Sequence, residues 1–326
     1  MLTPAAAPTI SLDAITRARE VIDPVFLRTP QYVDPGLSEA LGCEVLIKVE
    51  TLNPIRCFKG RGACVYMASV EPGMRVVGAS AGNFGQAIAW AGRERGIPVT
   101  IYAAATANSR KLARIRALGA EVVQVGHDFD AAKEAARAFA ASAAGVRFVE
   151  DAADLETVYG AGTIGLELAS LPESRRPDAL YVPLGNGALI NGIAAWTKVH
   201  APAMRIVGVV AEAAPAMDIS WRTGLPTVTK TAETMADGIG VRIPVPSAVA
   251  LTRHLVDDIV TVSEDAIREA LMLARDAAGM LLEPSAVVGI AALLGTPALR
   301  TGRVGTIITG ANASDALIAE LSGRVA

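Results

Sequence analysis

The sequence predicts an α/β protein of two lobes, its parallel-rich sheets covered by helices. Three observations predict it. Short β-rich runs alternate with amphipathic or alanine-rich stretches, two of those runs pass through a glycine turn directly into a helix, and 326 residues exceed what one hydrophobic core usually organises.

Taken in order, strands are expected at 44–50, 75–79, 98–103, 121–125, 146–150, 180–184, 205–211, 259–262 and 304–309. Helical segments separate them, which implies parallel pairing with helical crossovers. Helix punctuation agrees: Ser109 opens a stretch that Gly119 closes, and Ser263, followed by Glu264 and Asp265, opens one that ends at Gly279. Residues 171–178, LPESRRPD, read as an exposed loop. No internal repeat or low-complexity linker is visible.

Composition narrows the function. Lys and Arg number 30 against 33 Asp and Glu, a net charge of −3 with no long block of one sign, so neither nucleic acid nor an anionic membrane is an expected partner. A mean hydropathy of +0.38 raises the question of a membrane span. The longest uncharged windows, 76–92, 179–197 and 280–299 (broken by Glu283), carry Asn, Gln, Pro or several Gly and read as buried strand, turn and helix instead. Residues 1–12 lack the basic start and apolar stretch of a signal peptide, and a cytoplasmic location is expected. The three cysteines and three histidines are scattered without a CxxC, against a disulfide framework or a Cys/His zinc site.

Chemistry must come from three segments. Residues 48–63 read KVETLNPIRCFKGRGA, an apolar strand leading through Asn53-Pro54 to Lys59, flanked by Phe58 and Gly60. A lysine in apolar surroundings becomes a nucleophilic amine able to form a Schiff base, although taken alone Lys59 reads first as a solvated surface residue. Residues 78–87, GASAGNFGQA, run from strand through a glycine turn into a helix whose free N–H groups suit a carboxylate, with Ser80, Asn83 and Gln86 adding polar side chains. Residues 182–192, VPLGNGALING, repeat the arrangement, and Gly185 and Gly187 let the backbone close on a phosphate. A dinucleotide fingerprint needs a third glycine at position 190, where the chain has Ile, which counts against a nicotinamide-dependent oxidoreductase. Residues 236–239, ADGI, and 308–314, ITGANAS, each read as a turn in isolation.

In this order the five segments resemble the fold-type II pyridoxal-phosphate (PLP) enzymes, in particular the threonine/serine dehydratase branch that includes serine racemase and hydroxyaspartate dehydratase. The resemblance implies a large domain of residues 1–73 and 153–326 with a smaller α/β domain, 74–152, inserted in it and the site between them. It makes Lys59 the Schiff-base lysine and proton carrier, and Phe58 its ring-packing neighbour. It gives Asn83 the cofactor's phenolic oxygen and Ser80, Ala81, Gly82, Asn83 and Gln86 the substrate carboxylate. Gly185, Asn186, Gly187, Ala188 and Leu189 bind the phosphate, Gly238 and Glu283 lie near the ring, and Thr309 meets the pyridine nitrogen.

A neutral hydroxyl at Thr309 leaves charge on Cα more readily discharged by expelling a β-substituent. The implied reaction is dehydration and deamination of a small 3-hydroxy-amino acid, threonine or serine first and hydroxyaspartate or a bulkier homologue next, with a β-replacement synthase or racemase as the alternative. Racemases of the family place a serine where this chain has Ala81, so little racemisation is expected. The chain departs from the family at Cys57 (commonly Ser), Phe84 (commonly His), Asn186 and Ala188 (commonly Gly). Cys57 is either a reactive thiol or a small buried replacement for Ser, and Arg56 either reads a second carboxylate or is exposed. Residues 212–218, EAAPAMD, resemble a metal-binding stretch of serine racemase, in which Glu212, the Ala216 carbonyl and Asp218 would hold Mg²⁺ or Ca²⁺; the other reading is a strand end followed by an exposed helix face. A homodimer is implied by resemblance alone.

Overall fold

The computed structural model describes residues 6–323; positions 1–5 and 324–326, which include the ends of the expected large domain and part of the N-terminal stretch, lie outside the described residues. The strands are β1 (Gln31–Val33), β2 (Glu44–Val49), β3 (Arg75–Ala79), β4 (Val99–Ala103), β5 (Glu121–Gln124), β6 (Val146–Val149), β7 (Ala179–Pro183), β8 (Arg205–Ala211), β9 (Asp258–Val262) and β10 (Arg303–Ile308). Six form one sheet in the order β1-β2-β10-β7-β8-β9, and four form a second in the order β5-β4-β3-β6. Every pairing is parallel except β1 with β2, where Gln31 faces Lys48 and Val33 faces Leu46. That short antiparallel edge strand is the one the sequence reading did not contain.

Central strands are buried on both faces. All of β7 and all but the first residues of β2, β8 and β10 are buried, which is why these segments read as continuous apolar runs. Around the second sheet, Val76, Ile88, Ile101 and Ile115 pack with Phe26, Ile55, Tyr66 and Met67, which precede it in the chain. The helix Lys59–Ala68 therefore contributes side chains to the core of the four-stranded layer.

The same helix is anchored on its other side by charge. Arg61, fully buried, donates from Nε and Nη2 to Glu50 at 2.8 and 2.9 Å and from Nη1 to Glu167 at 2.7 Å. Buried Lys48 donates to Glu167 at 2.5 Å and to the Thr29 carbonyl at 2.8 Å. Two cations and two carboxylates neutralise one another and tie β2 to the helices at 59–68 and 155–169, and each charge without its partners would carry a large desolvation cost. Close approach of those helices needs Gly160, where a Cβ would lie 2.5 Å from the Arg61 carbonyl carbon.

Across the mouth of the cleft, side chains following β4 and β5 meet residues of the larger layer. Arg110 pairs with Asp315, Lys111 with Asp237, and Arg242 Nε donates to Asp130 at 2.8 Å. No helix among the described residues is long and apolar enough to cross a membrane.

Candidate active site

Lys59 opens its helix because the preceding turn is fixed residue by residue. The Asn53 side chain accepts from Ile55 and Cys57 N–H and donates to the Glu50 and Cys57 carbonyls, while Arg56 takes a left-handed backbone at φ 54°. The chain then pairs with the end of β10: Phe58 N–H donates to the Thr309 carbonyl at 3.1 Å, and Ala311 N–H donates to the Arg56 carbonyl at 2.9 Å. Lys59 and Thr309 are thus set beside one another by backbone hydrogen bonds. Arg56 itself is exposed and stands outside the cavity.

A cavity of about 350 Å³ lies between the two sheets, lined by residues of both. It gathers Phe58, Lys59, Ser80, Ala81, Gly82, Asn83, Gln86, the run from Gly185 to Leu189, Gly238, Glu283 and Thr309. Glu212, Ala216 and Asp218 are not among its walls.

Besides the Lys59 helix, two helices bring their N-termini to this cavity, and neither has a side-chain cap. Asn83–Glu94 starts after Gly82 and Ala188–His200 after Gly187, whereas the helices at Leu12, Ser109, Phe129, Glu264 and Asp315 are closed by Ser11, Asn108, Asp128, Ser263 and Ser314. An uncapped N-terminus leaves N–H donors and a positive dipole end for an anion. Gly187 makes the second seat possible: its φ of +100° disfavours any side chain, and a Cβ would come within 2.9 Å of Asn191 Nδ2.

Polar contacts knit the site. Asn83 Nδ2 donates to Glu283 at 2.7 Å, and Asn312 donates to Asn83 Oδ1 at 2.8 Å and, through its backbone N–H, to Glu283 at 3.0 Å. Asn83 keeps a second amide hydrogen for a ligand. Burial raises the Glu283 carboxyl above its ordinary range, against the hydrogen bonds from Asn83 and Asn312. Burial likewise pushes the Cys57 thiol up to about 12, so this fully buried cysteine is an unreactive filler, which resolves the two readings of it.

Lys59 has surroundings the sequence did not disclose. Its Nζ lies 4.9 Å from the centre of the Phe58 ring and 5.8 Å from that of Phe84, as apolar flanks suggest, but it also donates to Asp151 at 2.6 Å. Asp151 and Ser285 are site residues that motif reasoning missed. A carboxylate pair directly after β6 was the available signal for Asp151; Ser285, two residues beyond Glu283, had none. Lys111, Arg114, Lys133, Glu150, Asp237 and Asn312 add to the polar wall.

At the expected cation site, Asp218 lies 2.8 Å from Arg222 Nε, the Ala216 carbonyl accepts from Ser220 Oγ at 2.6 Å, and Glu212 is exposed.

A primary amine between two anion seats, in a cleft of two parallel α/β layers, defines an enzyme that binds a phosphorylated aldehyde cofactor and a carboxylate substrate. The chain belongs to the pyridoxal-phosphate dependent enzyme family, whose model matches residues 22–310. It is 34% identical over 307 residues to an L-threonine ammonia-lyase of Thermotoga maritima, covering 93% of this chain and 76% of that protein. It is 31% identical to a phenylserine dehydratase of Ralstonia pickettii over 96% of both chains. Among solved structures, a T.th. threonine deaminase matches with a TM-score of 0.87 at 30% identity, covering 93% of this chain and 99% of that one.

The residues present fit PLP. The uncapped turn 185–189 suits its phosphate, and Lys59 Nζ suits its aldehyde. Ser285 Oγ, buried in the cavity wall without a protein partner, offers a further polar contact.

Proposed function

We propose that this chain dehydrates and deaminates a small 3-hydroxy-amino acid, L-threonine or L-serine, to a 2-oxo acid and ammonia. The observation that carries the reading is the pair of uncapped helix N-termini facing one cavity, with Lys59 beside them. When bound, PLP supplies an electron-withdrawing ring that labilises the bonds to the substrate Cα. Backbone N–H groups from Gly185 to Leu189 hold the phosphate, and Gly238 and Phe58 flank the ring. Thr309 presents a neutral hydroxyl to the ring nitrogen, which favours loss of a β-substituent over transamination. Ser80 to Asn83, with Gln86, hold the substrate carboxylate. Lys59 Nζ would attach the cofactor and, as a free amine, would remove the Cα proton.

Borohydride reduction followed by peptide mapping tests the attachment: the adduct is expected on Lys59 and would disprove the assignment on Lys48 or Lys111. The reaction is tested by measuring 2-oxo acid and ammonia across a panel of 3-hydroxy-amino acids. The panel includes 3-hydroxyaspartate and 3-phenylserine, because Phe58, Phe84, Phe129 and Phe148 line the cavity and favour a bulkier side chain as the second reading.

A homodimer in the cytoplasm is part of the proposal, supported by family resemblance and checked by light scattering and cell fractionation. So is a divalent cation at Glu212, Ala216 and Asp218. There it would compete with Arg222 for Asp218 and share the Ala216 carbonyl with Ser220, and melting in EDTA against added Mg²⁺ or Ca²⁺ reads it directly.

A further inference from the structure

We propose that Asp151 is a positioning residue for Lys59: it holds the freed amine in place for the substrate Cα and faces the charge that the amine gains there. The inference rests on the reading of Lys59 as the Cα base. Asp151 Oδ2 accepts from Lys59 Nζ at 2.6 Å, across 92 residues of sequence, with both side chains mostly shielded at 20% and 15% exposure.

The two adjacent carboxylates have separate partners. Glu150 is taken by Lys133 at 3.2 Å and Arg137 at 2.8 Å, whereas Lys59 is the only side-chain partner of Asp151 among the described residues. Asp151 is also held from behind. Glu150 N–H donates to Asp154 at 2.7 Å, Ala152 N–H donates to Thr157 Oγ1 at 3.1 Å, and Ala152 is a buried non-glycine residue at φ +66°. A left-handed alanine is a strained backbone conformation, and it follows directly on Asp151, which lines the cavity immediately after β6.

Lysine's four-carbon stem is flexible, so a base carried on it gains from a fixed counter-charge. When Nζ takes the proton, the Cα–H bond breaks, an N–H bond forms, the bonding pair stays with the substrate, and the new ammonium faces Asp151. Without the carboxylate, that ammonium forms in a shielded site without the one acid that pairs with it among the described residues.

The test uses L-alanine, which has no β-leaving group, and reads exchange of its Cα hydrogen in D₂O by NMR in the PLP-loaded protein. Asp151→Asn and Asp151→Ala are expected to slow exchange at least about tenfold with unchanged cofactor content, and Asp151→Glu to recover part of it. With L-threonine, the same variants should lower kcat while leaving KM within about threefold and raise the isotope effect of Cα-deuterated substrate. A cofactor-free readout is the ¹³C-methyl resonance of reductively methylated Lys59, which should move toward the exposed lysines in Asp151→Asn. Wild-type exchange rates in both neutral variants would overturn the proposal, as would equal losses in all three variants accompanied by loss of cofactor. Failure of the dehydration reading looks different: no ammonia from any hydroxy-amino acid, while alanine exchange and its dependence on Asp151 persist.

Discussion

Asn83 and Glu283 lie 200 residues apart in the chain and are joined by a 2.7 Å hydrogen bond at the floor of the cleft. Glu283→Ala removes the acceptor for both Asn83 and the Asn312 N–H, and a loss of about 1–3 kcal/mol is expected in urea unfolding. Glu283→Gln keeps the shape and removes the charge. Because burial raises the carboxyl in the folded state, more protons are bound folded than unfolded, and wild-type stability falls as pH climbs from about 4.5 through the raised value. The Gln variant should lose that slope; an unchanged slope would remove Glu283 as its source.

Arg61→Met leaves Glu50 and Glu167 buried without their main cation. A loss of about 3–5 kcal/mol is expected, large enough to show as a drop in urea midpoint. The pH dependence should weaken. Burial alone would raise the Glu167 carboxyl, but Arg61 and Lys48 bring it down to about 2, so in the wild type its contribution is full above about 4.5 and is lost on acidification toward 2. In the variant Glu167 keeps only Lys48 against its burial, so its carboxyl rises from that depressed value and the stability lost on acidification should be smaller.

Gly187→Ala places a side chain at φ +100° and against Asn191 and Thr252. PLP affinity is expected to fall about tenfold, some 1.4 kcal/mol, by absorbance titration, since the turn must shift where the phosphate binds. An unaltered affinity would mean that the phosphate is held elsewhere.

Ala81 lines the cavity and has no proton to give, so L-serine should yield pyruvate with little D-serine. Ala81→Ser is expected to raise the share of D-serine measured by chiral chromatography. Abundant D-serine from the unaltered protein would show that another group protonates the opposite face.

The parallel layers were legible because β2, β7 and β10 are buried on both faces and leave unbroken apolar runs between glycine turns. β1 was not, because three residues on an edge with one partner carry no periodicity. In the site, Asn83 with Gln86 announced themselves as residue types that a plain turn does not need, whereas Lys59 and the Gly185–Gly187 turn became legible only through the order of the five segments. Asp151 and Ser285 did not, since each is an ordinary polar residue whose meaning comes from a neighbour distant in the sequence. The quartet of Lys48, Glu50, Arg61 and Glu167 was equally silent, because a charged residue in a strand or helix reads as solvated until its partners are placed.

The ion pairs that span the mouth of the cleft have an environmental consequence. Arg110 with Asp315 and Lys111 with Asp237 join long or exposed side chains, 74% and 53% exposed in the first pair and 29% and 63% in the second. Such pairs are each worth little and are screened over roughly 8 Å at physiological ionic strength. At the rim the lobes therefore meet through contacts that dissolved ions can loosen, while the Asn83–Glu283 bond below and the buried charges of the Lys59 helix are ones they scarcely reach. Raised salt is thus expected to relax the rim before the floor, which a salt series of turnover and melting would show.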